Sequence, residues 1–276
     1  MAQHLEVIDA ASPPPVWAAL RNEAERAAAS EPALASLINA VVLTHSGLEH
    51  ALSYQIARKL SDMELRAMSA REIAEQAYAA DPSLIAAAEA DLKAVFERDP
   101  ACKGYLQPFL FFKGFLALQT YRVAHWLWEE GRDAMALYLQ SRMSELTQVD
   151  IHPAAKIGSG IFIDHGTGIV IGETAVVGDD VSLLHGVTLG GTGAQGGDRH
   201  PKIGKGVLLG ANASVLGNIE IGDYAKIASG SVVLRPVGKG CTAAGVPARV
   251  VNCPTCEEPA RSMDHTLADV VYDYVI

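Results

Sequence analysis

The sequence predicts an α+β fold, in which an N-terminal all-helical domain is followed by a parallel β-helix of hexapeptide repeats. Two observations predict it. From Ile151 to Val233, aliphatic residues recur every six positions with two interruptions, and a fixed period of six is typical of a hexapeptide β-helix. Before this stretch the chain is rich in alanine and poor in β-branched residues, a composition that favours helices.

The repeat positions predict one inward column of side chains. In seven of the 13 repeats glycine follows the aliphatic residue, and it permits a tight corner. A single repeat cannot bury its apolar side chain alone, so the fold is stabilised by stacking. The 13 aliphatic positions are Ile151, Ile157, Ile163, Ile171, Val177, Leu183, Leu189, Ile203, Leu209, Val215, Ile221, Ile227 and Val233.

The two interruptions of the repeat are candidate functional loops, because insertions in a solenoid often form its binding face. The first adds two residues between Ile163 and Ile171 and contains residues 164–168. The second is a 14-residue step from Leu189 to Ile203 and contains residues 190–201.

The change in pattern near Val149 divides the chain. We place the boundary between Glu145 and Asp150. The predicted parts are a helical domain over residues 1–146, a β-helix over 147–250 and a C-terminal tail over 251–276.

Composition limits the possible partners and cellular settings. The net charge of −10 argues against nucleic acid. No apolar run is long enough for a membrane span, and the N-terminus lacks the pattern of a signal peptide. Four cysteines do not suggest a disulfide framework, so a reduced cytoplasmic setting is expected. Cys253 and Cys256 are expected to be incidental thiols, with half a zinc site or a redox role as alternatives.

His165 is the candidate general base. It follows Asp164 inside the first interruption, and a histidine with an acidic partner can accept a proton near neutral pH. A surface or packing role is the alternative. Asp150 is a candidate orienter of the imidazole. One 18-residue coil before His165 lies Thr147 rather than Asp150, so the pairing needs a shorter path around the corner.

The other candidates are in or near the second interruption. Arg199 and His200 could bind a carboxylate, since a guanidinium does so through two parallel hydrogen bonds; a solvated arginine is the alternative. Residues 190–197 are glycine-rich but lack the residues of a phosphate loop, so a flexible hairpin is the alternative there. A metal site is not expected, because His152, His165, His185 and His200 show no repeat-matched pair.

Several segments together resemble the serine O-acetyltransferase family. The resemblance covers nearly the whole chain, and it is most specific in the two interruptions and the helical half. The segments are Asp150-Ile-His-Pro-Ala-Ala-Lys-Ile-Gly, Ile163-Asp-His-Gly-Thr-Gly, Val187-Thr-Leu-Gly-Gly-Thr-Gly, Gly197-Asp-Arg-His-Pro-Lys-Ile, Ala243-Ala-Gly-Val-Pro-Ala-Arg, Arg98-Asp99-Pro100 and Lys113-Gly-Phe-Leu-Ala-Leu-Gln-Thr-Tyr-Arg-Val-Ala-His-Trp-Leu.

The resemblance implies a left-handed β-helix, trimers along the prisms, and helical domains that join two trimers into a hexamer. It implies transfer of acetyl from acetyl-CoA to the hydroxyl of L-serine, the committed step towards cysteine, with no permanently bound cofactor. L-cysteine is expected to inhibit by occupying the serine pocket.

The resemblance also implies roles for individual residues. His165 would take the hydroxyl proton, with Asp150 holding its imidazole, and the serine would attack acetyl-CoA directly. Asp99 and Asp164 would bind the ammonium group of serine, and Arg199 and His200 its carboxylate. The positions expected to line the CoA channel between subunits are Gly191, Thr192, Ala211, Lys226 and Arg249.

The tail departs from familiar members of the family. The resemblance nevertheless implies that the C-terminal Ile276 enters the active site of O-acetylserine sulfhydrylase. Two other functions remain open: a hexapeptide acetyltransferase for homoserine or a sugar, and a non-enzymatic scaffold for the sulfhydrylase. Asp99 and Arg199 separate the first of these from a serine enzyme, since a sugar hydroxyl needs neither an amine partner nor a carboxylate partner.

Overall fold

Helices form the first half of the chain. The computed structural model describes residues 15–193, 196–253 and 258–267. Proline at the first position of the second helix loses no hydrogen bond there, and the Glu31 carboxylate accepts one from the Ala33 amide at 3.3 Å. The helices are α1 Val16–Ser30, α2 Pro32–Ile38, a π-helix Asn39–Leu43, α3 Leu48–Leu60, α4 Ala67–Ala80, α5 Ser83–Arg98, α6 Leu106–Phe111, α7 Lys113–Glu129 and α8 Asp133–Thr147.

Three sheets form the sides of a prism in the second half. Sheet A contains β1 Val149–Ile151, β4 Ile169–Ile171, β7 Thr188–Gly190, β10 Ser214–Leu216 and β13 Val232–Val233. Sheet B contains β2 Lys156–Ile157, β5 Val176–Val177, β8 Lys202–Ile203 and β11 Glu220–Ile221. Sheet C contains β3 Phe162–Ile163, β6 Ser182–Leu183, β9 Leu208–Leu209, β12 Lys226–Ile227, β14 Thr242–Gly245 and β15 Ala248–Asn252. The predicted fold class, helices followed by a parallel β-helix, is confirmed.

The strand register reproduces the sequence period. Asp150 pairs with Val170, Val170 with Thr188, and Thr188 with Ser214, so successive coils are offset by 20, 18 and 26 residues. An offset of 18 is three hexapeptides. The two longer offsets contain the two predicted insertions, which lie at corners of the prism.

The repeat side chains form the core of the β-helix. Twelve of the 13 aliphatic repeat positions are buried, and Ile157 is half-buried. Burial of one such side chain stabilises a fold by roughly 1.5–3 kcal/mol. Ala117, Leu118 and Tyr121 of α7 belong to the same hydrophobic cluster, so the helical half and the β-helix share a core.

A buried carboxylate joins the two halves. Asp91 of α5 is fully buried and accepts hydrogen bonds from Gln119 at 2.8 Å, from Arg122 at 2.8 and 3.0 Å, and from the Ile161 amide at 2.9 Å. Arg122 also donates to the Gly158 carbonyl at 2.8 Å. Helices α5 and α7 are thereby fixed to the first coil of the β-helix.

Within the described residues, no helix has the length and apolar character needed to cross a membrane.

The cysteine prediction was wrong for Cys253, which forms a disulfide with Cys241. The reason is the antiparallel hairpin of β14 and β15, whose outermost pair is Thr242 with Asn252. The cysteines flank that pair and therefore meet, although they are twelve positions apart in sequence. Cys256 lies outside the described residues. The chain resumes in a short helix, α9 Pro259–Ser262.

Candidate active site

The first insertion forms a loop at the corner between β3 and β4. His165 has φ of 55°, and Gly166 and Gly168 have φ of 71° and 78°. The Gly168 amide donates to the Gln148 carbonyl at 2.8 Å, and the Asp164 amide to the Leu183 carbonyl at 2.9 Å. A histidine in the left-handed region is uncommon, and such backbone strain is concentrated at functional sites.

The imidazole of His165 is presented to solvent beside a carboxylate. Its side chain is 76% exposed, and Nε2 lies 3.8 Å from Oδ1 of Asp164. The His185 ring lies one coil further along and meets it edge to face, with centroids 6.1 Å apart. A proton acceptor is therefore open to a substrate while keeping an acidic neighbour.

The predicted orienter of His165 has another partner. The Asp150 carboxylate accepts a hydrogen bond from Gln140 Nε2 at 2.7 Å. Across the described residues, no hydrogen bond joins Asp150 to His165. The pairing of these two residues stays a prediction, which needs the carboxylate to turn from α8 towards the loop.

The start of α7 supports the same loop. Lys113 donates a hydrogen bond to the Thr167 hydroxyl. Gly114 packs so closely that an added Cβ would lie 2.3 Å from the Ile163 carbonyl oxygen. Only glycine allows this approach. From the sequence, Gly114 is expected to mark a break or a close contact, and Lys113 has no predicted role, since its partner Thr167 lies 54 residues away.

Helix α5 brings Asp99 to the face of sheet C. Val95 and Cys102, on either side of it in sequence, form a cluster with Phe162 of β3. Asp99 is half-buried, and its Oδ1 accepts from the Ala101 amide at 2.8 Å. Asp164 follows Phe162 by two residues, so the end of α5 packs on the strand that leads to Asp164.

Arg199 and His200 lie at a different corner, the one after β4. Arg199 donates to Glu173 Oε2 at 2.7 Å. The Thr174 hydroxyl accepts from the backbone amides of Arg199 and His200 at 3.0 and 3.1 Å. Glu173 and Thr174 were missed from the sequence, although the strand register places them beside the second insertion.

The environment of His200 fixes its charge and tautomer. Its residue surface is 7% exposed, and Nδ1 accepts from the Thr174 amide at 3.1 Å. The neutral ring therefore carries its proton on Nε2. Burial, followed by the charge of Arg199, lowers the pKa of His200 below the ordinary histidine value. The hydrogen bond to Arg199 similarly lowers the pKa of Glu173, so the pair remains ionic at neutral pH.

One chain does not bring the two corners together. The loop with His165 precedes β4, and Arg199 and His200 contact residues that follow it. At about 3.3 Å per residue, one side of the prism spans roughly 15–20 Å. That is more than the length of a serine molecule.

The predicted CoA residues are spread along the later coils. Gly191 lies beside the Arg199 side chain, and Thr192 contacts Gly217. The Ala211 carbonyl accepts from the Gly230 amide at 2.8 Å at a corner. Lys226 is buried and donates to the Thr266 carbonyl at 2.5 Å. Arg249 is exposed on β15 and lines a cavity of about 430 Å³.

Metal ligands are not grouped in the described residues. No set of three or more histidine, cysteine, aspartate or glutamate side chains there is arranged to hold an ion.

Two protein-family models match separate segments of the chain. The model for the N-terminal part of serine acetyltransferase matches residues 16–120. The model for bacterial transferase hexapeptide repeats matches residues 200–235. A serine acetyltransferase of Escherichia coli strain K12 is 57% identical over 249 residues, which cover 90% of this chain and 91% of that protein.

Solved structures agree over the same length. A serine acetyltransferase in complex with cysteine has a TM-score of 0.90 at 52% identity, covering 91% of this chain and 98% of that one. The enzyme of Brucella abortus strain S19 in complex with coenzyme A has a TM-score of 0.86 at 49% identity, with coverage of 88% and 98%. Soybean serine acetyltransferase complexed with serine has a TM-score of 0.84 at 55% identity, with coverage of 86% and 97%.

Proposed function

This chain belongs to the serine acetyltransferase family, and from that premise we infer that its chemistry takes place at the corner of Asp164 and His165. The protein is a serine O-acetyltransferase, an enzyme of cysteine biosynthesis. It transfers acetyl to the hydroxyl of L-serine and releases O-acetyl-L-serine, and acetyl-CoA serves as the co-substrate. The single observation that carries the inference is the exposed imidazole of His165 beside the Asp164 carboxylate.

The proposed step is a direct attack by serine on the acetyl thioester. A neutral hydroxyl is a poor nucleophile, so a base must remove its proton as the C–O bond forms. His165 Nε2 accepts that proton, and Asp150 is proposed to hold the imidazole and so stabilise the imidazolium. The proton then passes to the sulfur of CoA as the C–S bond breaks. Cys102, the free thiol in the described part of the chain, is buried and donates to the Gly104 carbonyl, so it does not offer an acyl-enzyme route.

Four side chains are proposed to select a small amino acid. Asp99 and Asp164 would bind the ammonium group, while Arg199 and the Nε2 proton of His200 would bind the carboxylate. Arg199 can serve both Glu173 and a substrate, since a guanidinium has five N–H donors. Loss of a buried charged contact costs more than loss of a methylene contact, so acceptors lacking either charge are rejected.

Acceptor selection is tested by measuring thiol release from acetyl-CoA with serine, threonine, homoserine and galactose. We expect serine to be preferred over galactose by at least roughly 10²-fold in kcat/KM. Equal rates with galactose would contradict the proposed roles of Asp99 and Arg199.

We propose a homotrimer in which each active site lies between two prisms. His165 and the pair Arg199–His200 occupy different corners of one chain, so a neighbouring chain has to supply the second corner. Closed rings of identical subunits create such shared sites. Docking of two trimers through the helical domains into a hexamer is proposed from the family resemblance.

Complementation between inactive variants tests the shared site. His165→Ala and Arg199→Ala are each expected to be nearly inactive at low serine concentration. When the two chains are unfolded together and refolded, random assembly gives about one site in four with both intact residues. Recovery of about a quarter of wild-type activity is therefore expected. Recovery no greater than the sum of the separate variants would place both residues in one chain's site.

Acetyl-CoA is proposed to lie along Gly191, Thr192, Ala211, Lys226 and Arg249, between neighbouring prisms. For Lys226 this requires its ammonium group to leave the Thr266 carbonyl. No permanently bound cofactor is needed for the step above. L-cysteine is the feedback inhibitor and differs from serine by one atom, so we propose that it occupies the same pocket in competition with serine.

A complex with O-acetylserine sulfhydrylase is proposed through Ile276, which lies outside the described residues. The present protein is proposed to be cytoplasmic. Burial of the isoleucine side chain is worth roughly 1.5–3 kcal/mol, which is about 10–100-fold in affinity. Deletion of Ile276 should weaken the complex by that factor in calorimetry and leave acetyl transfer unchanged. Equal affinity of the truncated and full-length chains would exclude Ile276 as the anchor.

A further inference from the structure

A disulfide closes the open end of the last hairpin. Cys241 precedes β14 and Cys253 follows β15, with Cα atoms 4.3 Å apart. Thr242, which follows Cys241, is paired across the two strands with Asn252, which precedes Cys253. The two cysteines are therefore held together by the strand register.

The three described cysteines differ in their access to solvent. Cys253 is exposed, and Cys241 is half-buried against the core of the β-helix. Cys102 is only 7% exposed, and burial raises the pKa of its thiol. Thiol–disulfide exchange needs both access and thiolate character. Cys253 is therefore the sulfur that a small reagent reaches, while Cys102 is protected.

The segment beyond the disulfide is docked on the helical half. Ser182 donates to the Ala260 carbonyl at 2.8 Å and accepts from Arg98 at 3.1 Å. Arg261 forms an ion pair with Glu97 at 3.3 Å. Segment 258–267 thus connects sheet C to the end of α5, next to Asp99.

Lys226 links the docked segment to the disulfide. Its backbone amide donates to the Cys241 carbonyl at 2.9 Å, and its ammonium group donates to the Thr266 carbonyl at 2.5 Å. Only residues 254–257 separate Cys253 from the docked segment. The position of Cys253 therefore fixes where this segment leaves the β-helix.

We propose that Cys241 and Cys253 form a reversible redox modification site. Low-molecular-weight disulfides oxidise the two thiols, and the resulting protein disulfide anchors segment 258–267. The Cys253 thiolate attacks one sulfur of the small disulfide, forms a mixed disulfide and expels one thiolate. The Cys241 thiolate then attacks Sγ of Cys253, the protein disulfide forms, and the second small thiolate leaves. The two released thiolates take up the two protein thiol protons, and the small disulfide takes up two electrons. Excess small thiol reverses both steps.

Peptide mapping tests the pairing. The full-length protein is equilibrated in mixtures of reduced and oxidised glutathione, alkylated and digested. We expect a Cys241–Cys253 linked peptide that disappears with excess reduced glutathione and returns with oxidised glutathione, while Cys102 is alkylated only after unfolding. A Cys253–Cys256 linkage, or no linked peptide in any mixture, would overturn the proposal.

Limited proteolysis tests the anchoring. Arg261 has a 62% exposed side chain, so trypsin cleavage there reports on the docked segment. Cleavage should be several-fold faster in the reduced protein and in Cys253→Ser, and reductant should have no further effect on that variant. Cys256→Ser is the matched control and should behave as the wild type does. Equal cleavage of oxidised and reduced wild type would show that the disulfide does not anchor the segment.

Discussion

Lys113 donates a hydrogen bond to Thr167, and this contact ties the first residue of α7 to the loop that carries His165. The next residue, Gly114, lies against the Ile163 carbonyl so closely that no side chain fits between them. The loop with the proposed base is therefore shaped by the helical half as well as by the β-helix.

Lys113→Met should lower kcat by roughly tenfold, because a loop displaced by a fraction of an ångström misaligns the base. The KM for acetyl-CoA and the melting temperature should change little. Lys113→Arg should restore part of the loss, since it can still donate to Thr167. Lys93→Met, at an exposed lysine of α5, is the matched control. An equal loss of kcat in Lys113→Met and Lys93→Met would show that Lys113 does not position the loop.

His165→Ala should lower kcat by roughly 10²–10⁴-fold, the usual contribution of a general base. Binding of CoA, measured by calorimetry, should be unchanged because the imidazole is assigned to the serine hydroxyl. Asp150→Ala should lose less than His165→Ala, since its role is only to hold the ring. His50→Ala, at a histidine of α3, is the control. Turnover of His165→Ala within about threefold of wild type would remove the residue from the mechanism.

Arg199→Ala should raise the KM for serine far more than the KM for acetyl-CoA. The change removes a charged hydrogen-bond donor from the substrate carboxylate, and a contact made equally in the ground and transition states affects KM rather than kcat. Arg199→Lys should recover little, since lysine lacks the planar fork that also holds Glu173. Steady-state kinetics with each substrate varied in turn would measure this. An equal rise in both KM values would place Arg199 outside the serine pocket.

The sequence predicted the β-helix in detail because each hexapeptide repeat supplies one aliphatic side chain to the core. Even the two longer coil offsets follow from counting residues between Ile163 and Ile171 and between Leu189 and Ile203. The sequence did not predict the contacts between elements that are distant along the chain. The Lys113–Thr167 hydrogen bond, the burial of Lys226 beneath Thr266 and the Cys241–Cys253 pair all join segments whose distance depends on how the elements meet.

The same limit applies to the candidate site. The motif with Asp164 and His165 and the motif with Arg199 and His200 are separate segments, and period counting places each of them at a corner without saying which corners meet. In one chain they are on opposite sides of β4. The gap is a physical reason to expect that a second chain completes the site.

Three histidines predict how stability depends on pH. Burial is the main cause that lowers the pKa of His45, His152 and His200 below the ordinary value of 6.5. Around His200, Arg199, Lys202 and His152 lower the pKa further, and Glu173 opposes them. As pH falls through 6.5 the unfolded chain takes up protons that the folded chain resists, so the free energy of unfolding decreases. This stabilisation is fully present above that pH and is lost as pH falls towards the lower folded values.

Urea unfolding between about pH 8 and pH 5.5 measures this dependence. The urea midpoint should be constant at the upper end of this pH range and fall at the lower end, where the histidines titrate. The Glu173 carboxylate does not contribute to this fall, because its pKa is lowered from 4.5 and it titrates below the range. His200→Asn keeps an acceptor for the Thr174 amide and removes one titrating group, so its midpoint should fall less steeply. Comparison at the upper end, where all three histidines are neutral, corrects for any general loss of stability. A slope identical to that of the wild type would show that His200 does not contribute to the pH dependence.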